Sequence, residues 1–291
     1  MVDKEISPER YARYTRWALW SLTIIVVSGG SVRLTGSGLG CSDWPNCEED
    51  QFVASLEYHA LIEFVNRLFT GVVTVAVILA ILGSIRRIPR RPDLVRWSWG
   101  LVAGVGAQVV LGAVLVKTDL DPRFTMGHFL LSMVLLWNAT VLMHKAADPT
   151  PQSAPPRIRQ IIWAITITGS VLLVSGTIVT GSGPHSGSDK AEVAERLPFL
   201  VRDVARIHAI VAIIVLIMIA ALWQLSSRAG LREITRRTKL VAALLIVQGA
   251  VGYWQYFTGV PVQLVAVHIT LASLTWISIV RLQLTARSLV T

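Results

Sequence analysis

Charged side chains are scarce in this sequence. They make up 15% of its 291 residues, whereas a soluble domain of this size carries about a quarter. Apolar residues account for 53% of the chain, and they come in long blocks instead of scattered amphipathic faces. This pattern argues against a large soluble helical protein and indicates a chain that lies in a membrane.

Carboxylates and thiols are nearly missing from the apolar blocks, and the whole chain has two cysteines. Hydrolytic metal sites need such ligands clustered together, and two thiolates alone do not make a closed zinc site. Both kinds of site are therefore disfavoured. The N-terminal "MVDKEISPERYARYTRW" also lacks a signal-peptide cleavage pattern, so we expect the first apolar block to be retained.

Eight blocks are long enough to span a hydrocarbon core of about 30 Å at 1.5 Å per residue. They predict an all-α, polytopic membrane protein. The predicted spans are Arg16–Val32, Tyr58–Ser84, Trp97–Val116, Thr125–His144, Gln160–Thr180, Val204–Leu225, Leu240–Phe257 and Gln263–Leu284.

The formal charge of +9 reflects topology and does not indicate a nucleic-acid partner. Basic residues gather in the N-terminal tail and in alternate loops, at Arg86–Arg96, Arg157–Arg159 and Arg228–Lys239. The opposite loops hold acids at Asp43, Glu48, Glu49, Asp50, Asp119, Asp121, Asp189, Glu192 and Glu195. The positive-inside rule then places both termini in the cytoplasm, with the basic loops near anionic membrane lipid.

The chain repeats itself. "LTGSG" (Leu34–Gly38) recurs as "VTGSG" (Val179–Gly183), and the pair Gln108 and His128 recurs as Gln248 and His268. We therefore expect two parallel, pseudo-repeated four-helix bundles, since four is an even number of spans. Their expected bounds are residues 1–147 and 157–291, joined by a proline-rich cytoplasmic linker at 148–156.

Both cysteines, Cys41 and Cys47, fall in the first outside loop. A disulfide can form and persist in an extracytoplasmic loop. We therefore expect a disulfide that closes a small loop, with two free thiols as the alternative.

Four histidines fall in or at the mouths of even-numbered spans: His59, His128, His208 and His268. Each of these spans enters from the outside. Taking Ser55 as a helix cap before His59, we expect all four imidazoles at one depth, within the first two turns. Ionisable groups in a bilayer are functional candidates, and a histidine from each of two facing helices can hold a haem iron. The pattern predicts one haem site in each half, with satisfied core histidines as the alternative.

One half carries an acid beside its histidine and the other does not. "EYHALIEFVNRLFTG" places Glu63 and Arg67 one helical turn apart, so that the two can pair. No acid accompanies His208. This asymmetry is typical of an enzyme with a reacting site that handles protons and a second site that supplies electrons. A purely structural ion pair is the alternative.

Together, "GGSVRLTGSGLGCSDWPNC", "IEFVNR", "GTIVTGSGPHSG" and the outer-end histidines resemble the haem A synthase family, whose bacterial members oxidise the C8 methyl of haem O to a formyl group. The resemblance implies that His59 and His128 bind the substrate haem O. It implies a haem b cofactor on His208 and His268, a loop disulfide between Cys41 and Cys47, and an essential acid at Glu63. Arg67 would orient that acid or meet a propionate.

One position departs from the family. Its motif reads Glu-x-x-His-Arg, and here Asn66 stands where the histidine is expected. His59 lies two turns, or about 10 Å, nearer the surface on nearly the same face. Matched depth favours His59 as the ligand; strict alignment leaves the substrate iron with His128 alone and Asn66 as its neighbour.

The expected partners follow from the resemblance. They are haem O, the prenyltransferase that forms it and an electron donor, all at a bacterial plasma membrane. Two other functions are compatible with eight spans. A dihaem b-type cytochrome acting only in electron transfer would place its sites near opposite faces. A haem or quinone transporter would carry broken helices near mid-membrane.

Overall fold

The computed structural model describes residues 5–41, 44, 46–47, 53–149, 152–188 and 195–287. Among them, eight helices of 24 to 29 residues are long and apolar enough to cross a membrane, which confirms the all-α, eight-span prediction. They are α1 Pro8–Leu34, α2 Tyr58–Arg86, α3 Pro92–Lys117, α4 Pro122–Ala146, α5 Pro156–Ser182, α6 Val201–Arg228, α7 Arg232–Phe257 and α8 Val262–Thr285. The chain is a multi-pass membrane protein.

Several helices begin before the apolar block that predicted them. α1 begins at Pro8 instead of Arg16, and α7 at Arg232 instead of Leu240. The physical reason is that hydropathy marks only the part that suits hydrocarbon, whereas helical hydrogen bonding continues through polar turns at the interface. Proline at the first helical position, as at Pro8, already lacks the N–H that a helix start would leave unpaired.

The chain divides into two compact units. The first comprises Met1–Ala147 together with Thr180–Pro198. In it, α1 and α3 each pack against both α2 and α4, so α2 and α4 lie diagonally across a four-helix ring. The segment that follows α5 thus belongs to the same unit as α1, although it was expected to lie with the second half.

Backbone pairing joins the two glycine segments within this first unit. Gly38 N donates to Gly187 O at 2.8 Å, and Ser37 and Ser188 form an antiparallel bridge. Arg33, in the last turn of α1, donates through Nε to the carbonyl of His185 at 3.1 Å. A Cβ at Gly38 would lie 2.9 Å from that same Gly187 oxygen, so this close approach requires glycine.

The second unit comprises Asp148–Val179 and Phe199–Thr291. Here α7 packs against α6 and α8, and α5 touches α6 and α8 through side chains. Part of the expected linker forms a two-residue strand, β1 Gln152–Ser153, parallel to β2 Ala286–Arg287. Some predicted features lie outside the described residues: linker positions 150–151 and the loop acids Asp43, Glu48, Glu49, Asp50, Asp189 and Glu192.

Candidate functional site

The disulfide between Cys41 and Cys47 is present, which confirms that prediction. Both cysteines are buried, and they pack with Ala54 and Ala60 against the half-buried ring of Phe64. The loop that they close therefore rests on the outer end of α2. A Cβ at Gly40 would lie 2.2 Å from the carbonyl oxygen of His59, so the position just before Cys41 also requires glycine.

Glu63 and Arg67 form the expected ion pair, and the pair also holds the disulfide loop. Glu63 Oε1 accepts a hydrogen bond from Arg67 Nε at 3.0 Å and another from Arg67 Nη2 at 2.5 Å. Glu63 Oε2 accepts from the backbone N–H of Cys41 at 2.8 Å, while Arg67 donates to the carbonyl of Asn46 at 3.0 Å. One buried ion pair thus anchors both ends of the loop.

His59 does not lie at the depth that was expected. The residue that caps α2 is Glu57, not Ser55, so His59 is only the second residue of the helix. His208 is the eighth residue of α6, and His128 and His268 are each the seventh of their helices. The expectation of one common depth is therefore wrong for His59. Its Nδ1 lies 2.9 Å from Ser37 Oγ in the glycine segment after α1.

Asn66 lies deeper, as the ninth residue of α2. Its side-chain oxygen accepts a hydrogen bond of 2.8 Å from Ser28 Oγ on α1. The amide is thus held against α1, at a position between Glu63 and Arg67 along α2.

His128 on α4 is half-buried, and its ring lies beside Gly112 of α3. Gln108 Nε2 donates to the backbone carbonyl of His128 at 3.1 Å and to Ser132 Oγ at 2.7 Å. The Nδ1 atom of His128 is buried and has no hydrogen-bond partner among the described residues. This imidazole carries a nitrogen that the surrounding protein leaves unpaired.

His208 and His268 face each other across the second unit. Their ring centroids are 6.5 Å apart, and the rings are inclined by 63°. Two imidazoles that bind one metal atom at about 2 Å place their centroids about 6 Å apart. Small residues make room for both rings: a Cβ at Gly176 would lie 3.1 Å from His208, and one at Gly252 would lie 3.1 Å from His268.

A hydroxyl on α5 orients His208. Ser175 Oγ lies 2.9 Å from the carbonyl of Leu172 and 2.9 Å from His208 Nδ1. Because the Ser175 hydroxyl donates its proton to the Leu172 carbonyl, His208 Nδ1–H donates to Ser175 Oγ. Nε2 is then the unprotonated nitrogen, which is the form that binds a metal.

These residues fit a haem. Within the described residues, no three His, Cys, Asp or Glu side chains gather into a metal-ion site. A porphyrin supplies four nitrogens itself, so one or two protein imidazoles are enough to hold its iron. The facing pair in the second unit matches that requirement.

Fold and site define a class: a multi-pass helical membrane protein with facing imidazoles inside a four-helix unit, of the kind that binds haem iron. The model of the COX15-CtaA family, described as cytochrome oxidase assembly protein, matches residues 12–280. This chain belongs to that family.

Several curated relatives carry the name heme A synthase. One from Exiguobacterium sibiricum is 25% identical over 175 residues, covering 58% of this chain and 59% of that protein. One from Lysinibacillus sphaericus is 25% identical over 181 residues, with 58% and 59% covered. One from Symbiobacterium thermophilum is 26% identical over 251 residues, with 79% and 80% covered. The chain thus spans about three fifths of the length of the first two relatives.

The residues that position the site were not foreseen. Four small residues lie next to the candidate ligands: Ser28, Ser175, Gly176 and Gly252. In a sequence, small residues within a membrane span usually indicate nothing more than close helix packing. A signal was present, since "VSG" opens both glycine segments, at Val27 and at Val174.

Proposed function

We propose that this chain is a haem A synthase that oxidises the C8 methyl of haem O to a formyl group through a hydroxymethyl intermediate. The observation that carries the proposal is the asymmetry between the units. The first has a buried carboxylate, Glu63, held by Arg67 and by the Cys41 N–H, whereas the second has a facing imidazole pair. A cytochrome that only transfers electrons needs no buried acid in one half.

The second half, 157–291, would hold a haem b between His208 and His268. That group would supply one-electron transfer. The protein's part is to fix the two rings, and Ser175 does so by setting the tautomer of His208. Gly176 and Gly252 leave space for the rings on the neighbouring helices.

The first half, 1–147, would bind the substrate haem O on His128, with His59 or Asn66 as the second candidate haem-binding residue. Glu63 would stabilise positive charge that develops at the methyl carbon, or accept a proton there. Arg67 orients that carboxylate through two hydrogen bonds. The disulfide loop, tied to the same ion pair, would cover this site as a lid.

The proposal includes the setting. The two halves would be parallel repeats joined by residues 148–156, in a bacterial plasma membrane with both termini cytoplasmic. The prenyltransferase that makes haem O would supply the substrate, and a separate electron carrier would serve the second half.

The test is haem extraction from membranes of a host that makes haem O but no haem A. We expect a formyl haem only when this chain is co-expressed. Glu63→Ala should abolish the formyl haem and leave the haem b spectrum intact. Glu57→Ala is the matched control, because Glu57 is an exposed residue at the start of the same helix with no capping side-chain bond. Normal haem A formation by Glu63→Ala would rule out its catalytic role.

A further inference from the structure

Two serines make the same local contacts in the two units. Ser28 Oγ lies 3.2 Å from the carbonyl of Ile25, and Ser175 Oγ lies 2.9 Å from the carbonyl of Leu172. Each serine follows a valine and precedes a glycine in "VSG". They therefore occupy corresponding positions on α1 and α5.

The second partner of each serine differs. Ser28 bonds to Asn66 Oδ1 at 2.8 Å, and Ser175 bonds to His208 Nδ1 at 2.9 Å. Asn66 is the ninth residue of α2 and His208 the eighth of α6, so the two also match in position along their helices. Asn66 is thus the counterpart of an imidazole that faces His268.

The glycine after each serine gives a second comparison. A Cβ at Gly176 would meet the His208 ring at 3.1 Å. A Cβ at Gly29 would meet no atom of the described residues within 4 Å. The place filled by an imidazole in the second unit is therefore open in the first, because the shorter side chain of Asn66 does not cover Gly29.

His59 does not restore the missing ligand. It lies seven residues before Asn66, which along a helix is about 10 Å. Its Nδ1 is bonded to Ser37, in the segment that pairs with Gly187. The His59 imidazole therefore lies beside the glycine segment that follows α1, whereas Asn66 lies beside Ser28, further along the helices.

We propose that the first unit binds its haem iron through His128 alone, with Asn66 as a neighbour that does not bind the iron. This rests on the proposed function, which places a haem in that unit. Imidazole suits iron, whereas an amide oxygen suits harder cations, and the Asn66 oxygen already accepts from Ser28. A single protein ligand suits a haem that must bind and be released, whereas two protein ligands suit a haem that stays bound.

The test is carbon monoxide binding by the purified full chain with both haems loaded and reduced. We expect the first-unit haem to bind carbon monoxide and the haem on His208 and His268 to remain unreactive. His128→Ala should lose the reactive haem. His59→Ala should keep it.

Asn66→His should convert that haem to a six-coordinate, low-spin spectrum and remove its carbon monoxide binding. Asn66→Gln is the matched control: it keeps an amide and should keep the reaction. The inference would be overturned if neither haem of the wild-type chain binds carbon monoxide and His59→Ala gains that binding. This result would identify His59 as the second ligand. A single haem per chain, lost in His208→Ala, would instead overturn the two-site function itself.

Discussion

Glu63 is a carboxylate inside a membrane span, where an unpaired charge is costly. The protein meets that cost with three hydrogen bonds, two from Arg67 and one from the Cys41 backbone. Removing one partner of a buried ion pair destabilises a protein by about 3–5 kcal/mol, because the other charge stays buried and unpaired. The same pair that is proposed to act on substrate therefore also stabilises the disulfide loop.

We expect Arg67→Gln to lower the stability of the chain by a few kcal/mol, about the cost of an unpaired buried charge. It should also loosen the loop, since the bond to Asn46 is lost. Thermal unfolding in detergent measures the first effect, and proteolysis of the loop measures the second.

Arg123→Gln is the control for that measurement. Arg123 is the second residue of α4 and pairs with Asp121, which caps that helix. The Arg123 side chain is 75% exposed, and ion pairs that reach solvent contribute about 0–1 kcal/mol. Its hydrogen bonds lower the pKa of Asp121. Equal losses in Arg67→Gln and Arg123→Gln would contradict the buried-pair account.

At the level of helices, hydropathy was sufficient to place all eight spans but not their ends. The error had a consequence at α2. Ser55 looked like a cap four residues before His59, but the helix begins at Tyr58, so His59 rises to the second position. Capping depends on which backbone N–H groups are unpaired, and a serine in the sequence does not reveal this.

Pairs one turn apart could be foreseen, and contacts between distant segments could not. Glu63 and Arg67 share a helix face, which the i, i+4 spacing fixes. The pairing of Gly38 with Gly187 depends on backbone that the two segments bring together only in the folded unit. The role of Ser175 likewise depends on how α5 and α6 are rotated, and periodicity among uniformly apolar residues does not specify this rotation.

Two glycines on α7 allow a matched test of how closely this helix packs on the proposed haem b site. A Cβ at Gly252 would lie 3.1 Å from the His268 ring, whereas one at Gly249 would meet nothing within 4 Å among the described residues. Replacing glycine with alanine in a helix otherwise gains up to about 1 kcal/mol. We expect Gly252→Ala to lower haem content and shift the spectrum, with Gly249→Ala neutral or stabilising. An unchanged spectrum in Gly252→Ala would show that the His268 ring is not confined by α7.

At the scale of the whole molecule, the charge pattern predicts how the chain is oriented in the membrane. Basic residues cluster in the loops before α3 and α7 and before α5, and acids lie in the loops between. An even number of spans returns the chain to the side on which it began. The disulfide is consistent with the same predicted orientation, because Cys41 and Cys47 lie in a loop predicted to be on the side opposite the basic loops, and a disulfide persists in an extracytoplasmic loop.

The two native cysteines are joined, so single introduced cysteines report sidedness without a cysteine-free background. We expect Lys117→Cys, at the outer end of α3, to react with a membrane-impermeant maleimide in intact cells. Arg90→Cys, in the basic loop before α3, should react only after permeabilisation. Both native residues are exposed, so their accessibility differs only through the side of the membrane on which they lie. The reverse labelling pattern would show that the chain has the opposite orientation in the membrane. The site proposed for haem O would then face the cytoplasm.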